Sequence, residues 1–170
     1  MKNISFRNDV LPLKDALYRL ALRITLSHEE AQDIVQDTLI KVWDKRESWN
    51  EIESIEAFSI TICRNLALDR IKKHDNLNDS LEERQTESPD NSSTPFEDTL
   101  QQDRIELVRN LVNALPEKQR SCMQLRDFEG KPYKEIAKIL GITEEQVKVN
   151  IFRARQTVKE RFQKYDNYGL

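Results

Sequence analysis

Glycine and proline are scarce in this chain, three and five among 170 residues. So little turn material excludes an all-β fold, and it leaves no Gly-rich loop to cradle a phosphate. Histidine and cysteine number two each. Cys63 and Cys122 lie far apart inside helical patterns, and neither His28 nor His74 has a Cys, His or paired carboxylate at ligand spacing. The pattern offers no disulfide framework, metal site or cofactor, and the cysteines read as buried thiols. No window approaches ~18 uninterrupted apolar residues, the length a membrane span needs. The opening MKNISFRNDV also lacks the apolar run of a secretory signal. The expectation is a cytoplasmic, all-α protein, with a length that allows one domain or two small ones.

What is present is charge, unevenly placed. The net charge of −3 conceals a balanced stretch over residues 1–73, with 12 basic and 12 acidic side chains. Residues 74–103 hold 1 and 9, and residues 104–170 hold 14 and 9. Recognition depends on where charge sits, so the acidic middle hides a basic C-terminal module from the whole-chain value. That middle, NLNDSLEERQTESPDNSSTPFEDT, is too polar to bury a core and too long for a loop inside a compact domain. The expected organisation is two small helical domains, 1–74 and 101–170, joined by a flexible acidic linker over 75–100.

Apolar residues at spacings of three and four predict a first helix over residues 10–26, carrying Leu13, Leu17, Leu20, Ala21 and Ile24. Ser27 and Glu30 have capping-box spacing, which starts a second helix that runs to Trp43. A third, over 55–73, is apolar on most sides and therefore central, and residues 44–54 form its entry loop. After the acidic stretch, a helix ends at Pro116, and Pro116 suits the first turn of another that ends near Gly130. Pro132 then opens a short helix that Gly141 stops, and Thr143 with Gln146 caps the last one. Two helices joined by a tight Gly-containing turn form a helix-turn-helix.

On that last helix Val147, Ile151, Ala154 and Val158 share one stripe, while Val149, Phe152, Arg153 and Gln156 face the other way, flanked by Lys148 and Arg155. Apolar side chains among cations do not suit a solvated face. They suit a recognition helix in a DNA major groove, where cations and an amide meet base edges and phosphates. On the second helix Asp33, Gln36, Asp37, Ile40 and Asp44 point away from the buried stripe. They make either a solvated acidic surface with a stray Ile or a docking face for a basic protein partner. Trp49 in the entry loop and Asn65 in the third helix are either packing residues or a pair that holds an unstacked base.

Three segments in order, AQDIVQDTLIKVW, AFSITICRNLALDRIKK and LPEKQRSCMQLRDFEGKPYKEIAKILGITEEQVKVNIFRARQTVKERF, resemble the extracytoplasmic-function sigma factors of bacterial RNA polymerase. The resemblance covers nearly the whole chain. It implies that Asp33, Gln36, Asp37 and Ile40 dock on the clamp helices of the polymerase β′ subunit, with the β subunit also in contact. It implies that Trp49, with Asn65 beneath it, captures a flipped base of the minus-10 element, with Arg64, Arg70, Lys72 and Lys73 near the strand's backbone. Lys148, Val149, Phe152, Arg153, Arg155 and Gln156 would bind the minus-35 duplex. Promoter DNA and a membrane-anchored anti-sigma factor follow as partners, with no small-molecule substrate and no enzymatic activity.

Two other classes fit parts of the sequence. A stand-alone helix-turn-helix regulator accounts for the C-terminal half but leaves the acidic face of the second helix unexplained. An enzyme acting on nucleic acid would need a nucleophile–base pair or a carboxylate cluster, and Asp33 with Asp37 one turn apart is the nearest approach to one.

Overall fold

The computed structural model describes residues 3–77 and 99–167. Most of the expected linker, residues 78–98, lies outside them. Among the described residues seven α-helices carry the fold: α1 (Lys14–Thr25), α2 (His28–Asp44), α3 (Ile55–Leu77), α4 (Thr99–Asn113), α5 (Glu117–Met123), α6 (Tyr133–Leu140) and α7 (Glu144–Asn167). Among the described residues there is no strand, as the shortage of turn formers requires.

Local chemistry sets most of these ends. Ser5 caps a wide turn over Phe6–Val10, accepting from the Asn8 amide, and a short 3₁₀ segment over Leu11–Leu13 leads into α1. The regular helix therefore starts four residues later than the spacing predicts. Leu26, with φ of 60°, closes α1 in the left-handed conformation that a non-glycine residue rarely adopts. Ser27 Oγ then accepts the Glu30 amide at 3.4 Å. The reciprocal half of that capping box is missing, because the Glu30 carboxylate pairs with His74 of α3 instead. α3 runs to Leu77, past the expected boundary at 74. Pro116 and Pro132 each sit just before a helix, at the N-cap of α5 and of α6, where a missing N–H costs nothing.

α1, α2 and α3 pack on one another, whereas α4, α5 and α6 each pack on α7. Each half has a small cluster of its own: Val10, Val42 and Trp49 in the first, and Val112, Leu115, Met123 and Ala154 in the second. The largest cluster belongs to both. Leu17, Leu20 and Ala67 share it with Cys122, Leu125 and Ile136. The two domains thus meet across an apolar seam between α1–α3 and α5–α6. This explains why α3 is apolar on most sides, since one face serves its own domain and another the seam.

Charge surrounds the seam. Arg19 forks onto Glu129 at 2.6 and 3.0 Å. Arg64 reaches both carboxylate oxygens of Glu117 at 3.1 Å. Lys138 meets Glu53 at 3.0 Å, and Lys131 pairs with Glu56. Arg23 donates to Gln124 at 2.9 Å and to Asn113 at 2.8 Å.

Candidate nucleic-acid and protein interfaces

The turn between α6 and α7 is fixed by Gly141, whose φ of +68° is the left-handed value that ends a helix without a Cβ penalty. Two residues on, Thr143 N–H donates to Gln146 Oε1 at 3.0 Å and Gln146 N–H to Thr143 Oγ1 at 3.1 Å, a complete capping box. Val147, Ile151 and Ala154 are buried, which fixes the rotation of α7. Its other face stands in solvent: Val149, Phe152 at 67% exposure, Lys148, Arg153 and Gln156. The structure therefore brings the six C-terminal residues singled out above onto one open surface of one helix.

Gln156 Nε2 donates to Glu160 Oε1 at 3.2 Å along the same helix, whereas Arg155 has its partner outside α7. It forks onto Asp127 at 2.5 and 3.1 Å, and those bonds raise its already high pKa further. Tyr133 adds a feature that spacing did not reveal. Arg126 lies 4.3 Å over its ring and Lys148 Nζ 5.8 Å from the ring centroid, so the aromatic face gathers cations beside the start of α7. Tyr133 read as an apolar position of α6, and periodicity alone cannot separate a core contact from a half-buried platform.

On α2, Ala31, Ile34, Val35, Thr38 and Val42 are buried. Asp33, Gln36 and Asp44 are exposed, and Ile40 is 58% exposed. Asp37 is partly covered because Arg70 of α3 lies 3.3 Å from it. Trp43, which the sequence reading left off this surface, is also exposed, with Arg46 stacked 4.6 Å from its ring and Phe6 edge-on at 5.4 Å.

The residues expected to meet a single strand do not form one open site. Trp49 is 7% exposed and belongs to the cluster with Val10 and Val42, its indole N–H donating to the Val42 carbonyl at 3.0 Å. The entry loop is ordered as a short 3₁₀ turn, Arg46–Glu51, which carries that ring inward. Asn65 is the reverse: exposed on α3 rather than buried beneath the loop. Arg64 is 6% exposed and held by Glu117, so it is not available to a DNA backbone in this arrangement. Lys72 and Lys73 are exposed and Arg70 is half-buried.

Neither thiol is poised to react. Burial pushes Cys63 up to about 12 and Cys122 up to about 11. Among the described residues no group of three or more His, Cys, Asp or Glu side chains could hold a metal ion, and no helix is long and apolar enough to cross a membrane.

Comparison with known proteins identifies the family of both halves. Residues 10–76 match the sigma-70 region 2 family and residues 105–158 match sigma-70 region 4. The ECF RNA polymerase sigma factor SigL of Mycobacterium tuberculosis is 30% identical over 84% of this chain and 80% of its own length. The probable RNA polymerase sigma factor RfaY of Xanthomonas campestris pv. campestris is 27% identical over 94% of this chain, which spans only 41% of that relative. Among solved structures, the sigma factor RpoE of Bartonella quintana, crystallised with the anti-sigma factor NepR, superimposes with a TM-score of 0.71 at 27% identity, covering 95% of this chain and 98% of that one. The chain belongs to the extracytoplasmic-function family of RNA polymerase sigma factors.

Proposed function

We propose that this chain binds core RNA polymerase and directs promoter-specific initiation, reading minus-35 duplex with α7 and minus-10 single strand with its N-terminal domain. One observation carries the reading: the exposed face of α7 sets Val149 and Phe152 among Lys148, Arg153 and Gln156, a surface for thymine methyls, base edges and phosphates. The acidic α2 face around Ile40 repels DNA and suits the basic clamp helices of the polymerase β′ subunit, with contacts to the β subunit beside them. Asn65, Arg70, Lys72 and Lys73 meet the single strand. Trp49 joins them only when the Arg46–Glu51 turn releases it, and Arg64 only when Glu117 lets go.

The chain works without catalytic chemistry or cofactor of its own, from the cytoplasm. Its counterpart in the Bartonella structure is bound to an anti-sigma factor. An anti-sigma factor, anchored in the membrane, is the corresponding partner here.

Comigration of the purified chain with core polymerase on a sizing column tests the proposal. Stoichiometric comigration at moderate salt is the expected result. Failure to comigrate, with the core competent for a control sigma factor and the chain binding duplex tightly alone, would make it a stand-alone regulator.

A further inference from the structure

At the C-terminal end of α4, three guanidiniums gather around one residue. Arg23 of α1 donates to Asn113 Oδ1 at 2.8 Å, and Arg120 of α5 donates to the Asn113 carbonyl at 3.1 Å. Arg109 lies one turn before Asn113 on α4, and Arg23 feels its charge as well as that of Arg120. Burial first, and then these like charges, lower the Arg23 pKa to about 10. Capping the carbonyl end of a helix takes one cation, and Arg120 supplies it. The other two crowd it, and like charges held together disfavour the charged state that each carries.

The two carboxylates of this network are committed elsewhere. Glu117 takes Arg64 on both oxygens at 3.1 Å and the Ser121 hydroxyl at 2.6 Å. Glu129 takes the fork of Arg19 and the Gln124 amide at 3.2 Å. Arg23 and Arg120 are therefore left with neutral oxygens, those of Asn113 and Gln124. Arg120 is 9% exposed, and its Nε has no hydrogen-bond partner. Arg109 stands in solvent at the mouth of the cluster. Beside it Phe128, which ends the turn Gln124–Phe128 after α5, is 51% exposed, with the Arg23 guanidinium 5.3 Å from its ring centroid. Guanidiniums hold phosphate oxygens in paired hydrogen bonds, and an open aromatic ring takes a stacked base.

We propose that this cluster is a binding site for a nucleoside polyphosphate, its phosphates held by Arg23 and Arg109 in front of Arg120 and its base stacked on Phe128. The anion supplies the negative charge that Glu117 and Glu129 do not. The site shares no residue with the α7 reading face or the acidic face of α2, and the inference goes beyond the sigma-factor reading without depending on it.

Calorimetric titration of the full-length chain with ATP, inorganic tripolyphosphate and adenosine tests it, with thermal melts on the same samples. ATP is expected to bind one to one and to raise the melting temperature, tripolyphosphate to bind more weakly, and adenosine not to bind measurably. Arg109→Glu is expected to weaken ATP about tenfold or more. In the absence of ligand it should raise the melting temperature, because it relieves the like charge on Arg23, whereas loss of a residue that merely supports the fold would lower it. Arg109→Ala should act in the same direction, and it decides alone if Arg109→Glu loses helicity. Phe128→Ala should weaken ATP about fivefold or more and leave tripolyphosphate unchanged. Lys164→Glu makes the same change of charge in the last turn of α7 and should bind ATP as the wild type does. No saturable ATP binding up to about 1 mM overturns the site. Equal weakening by Arg109→Glu and Lys164→Glu also overturns it, since that is diffuse attraction to a basic domain. ATP affinity indifferent to Phe128→Ala removes the base, and with it the nucleotide. A single-stranded oligonucleotide without a terminal polyphosphate that displaces ATP, with the same dependence on Arg109, would reassign the cluster to a strand and overturn the nucleotide likewise.

Discussion

Arg70 of α3 holds its guanidinium 3.3 Å from the Asp37 carboxylate and 3.9 Å from that of Asp33, so one cation from the proposed strand-binding helix rests on the proposed polymerase-binding face. Half of the Asp37 side chain remains open to solvent. An ion pair so exposed is worth at most about 1 kcal/mol to the fold. Its value lies in orienting the carboxylate.

Asp37→Arg should therefore cost the fold little and the partner much. Core-polymerase affinity is expected to fall about tenfold or more, because a like charge now faces the basic clamp. Asp37→Asn should fall between the two. Titration of labelled chain with core enzyme measures this, and thermal melts check the fold. Affinity equal to wild type for Asp37→Arg would move the docking face elsewhere.

Arg153 projects from α7 with no partner given to it by its own chain among the described residues. Its removal cannot disturb the buried stripe of Val147, Ile151 and Ala154. Arg153→Ala is expected to cost about 1–3 kcal/mol at promoters that depend on a minus-35 contact, through loss of a base-edge or charge-assisted bond. Abortive-initiation assays on promoters with and without that element would show it. Equal losses on both would assign Arg153 to general phosphate attraction instead.

The parts of the fold legible in sequence are those decided within four residues. The Thr143–Gln146 box, the Gly141 stop and the prolines before α5 and α6 are local chemistry, and each appears where spacing places it. The exposed face of α7 is legible because one helix has one buried stripe. α3 lacks that clarity: apolar on most sides, it gave no single inward direction, so Asn65 was expected under the loop and lies outside. Trp49 failed for a different reason, since a loop tryptophan packs or stacks equally well until the Val42 carbonyl takes its N–H. The seam was invisible because its partners are far apart in sequence, Arg64 from Glu117 by 53 positions and Arg19 from Glu129 by 110. Singly, each reads as a surface charge. The all-round apolarity of α3 was the one signal that a second domain covers it.

Gly141 separates backbone strain from packing. A Cβ built there meets nothing within 4 Å, so a side chain finds open space, yet φ is +68°. Gly141→Ala is expected to destabilise by about 1–2 kcal/mol, the left-handed penalty of an L-residue, and Gly141→Asn by less. Urea denaturation measures both. A neutral Gly141→Ala would show that the turn between α6 and α7 relaxes to another conformation.

The thiols set a pH dependence whose sign follows from burial. Cys63 is pushed up to about 12 and Cys122 up to about 11, above the ordinary thiol value of 9.0. Below the unfolded pKa both native and unfolded chains hold these protons, and the contribution to stability is fully present. As pH rises above it the unfolded chain releases them while the native chain does not, so the unfolded state binds fewer protons and stability falls. The slope is about 1.4 kcal/mol per pH unit for each thiol, and the loss continues until the folded pKa is passed. Urea denaturation at about pH 8, 9 and 10 should therefore show the wild type losing stability more steeply than the Cys63→Ala, Cys122→Ala double variant. The offset between the curves reflects the cavities the substitutions leave, whereas the lysines and tyrosines common to both chains cancel from the difference in slope. Parallel curves would mean that the thiols reach solvent in the native chain and that the seam around Cys122 is open.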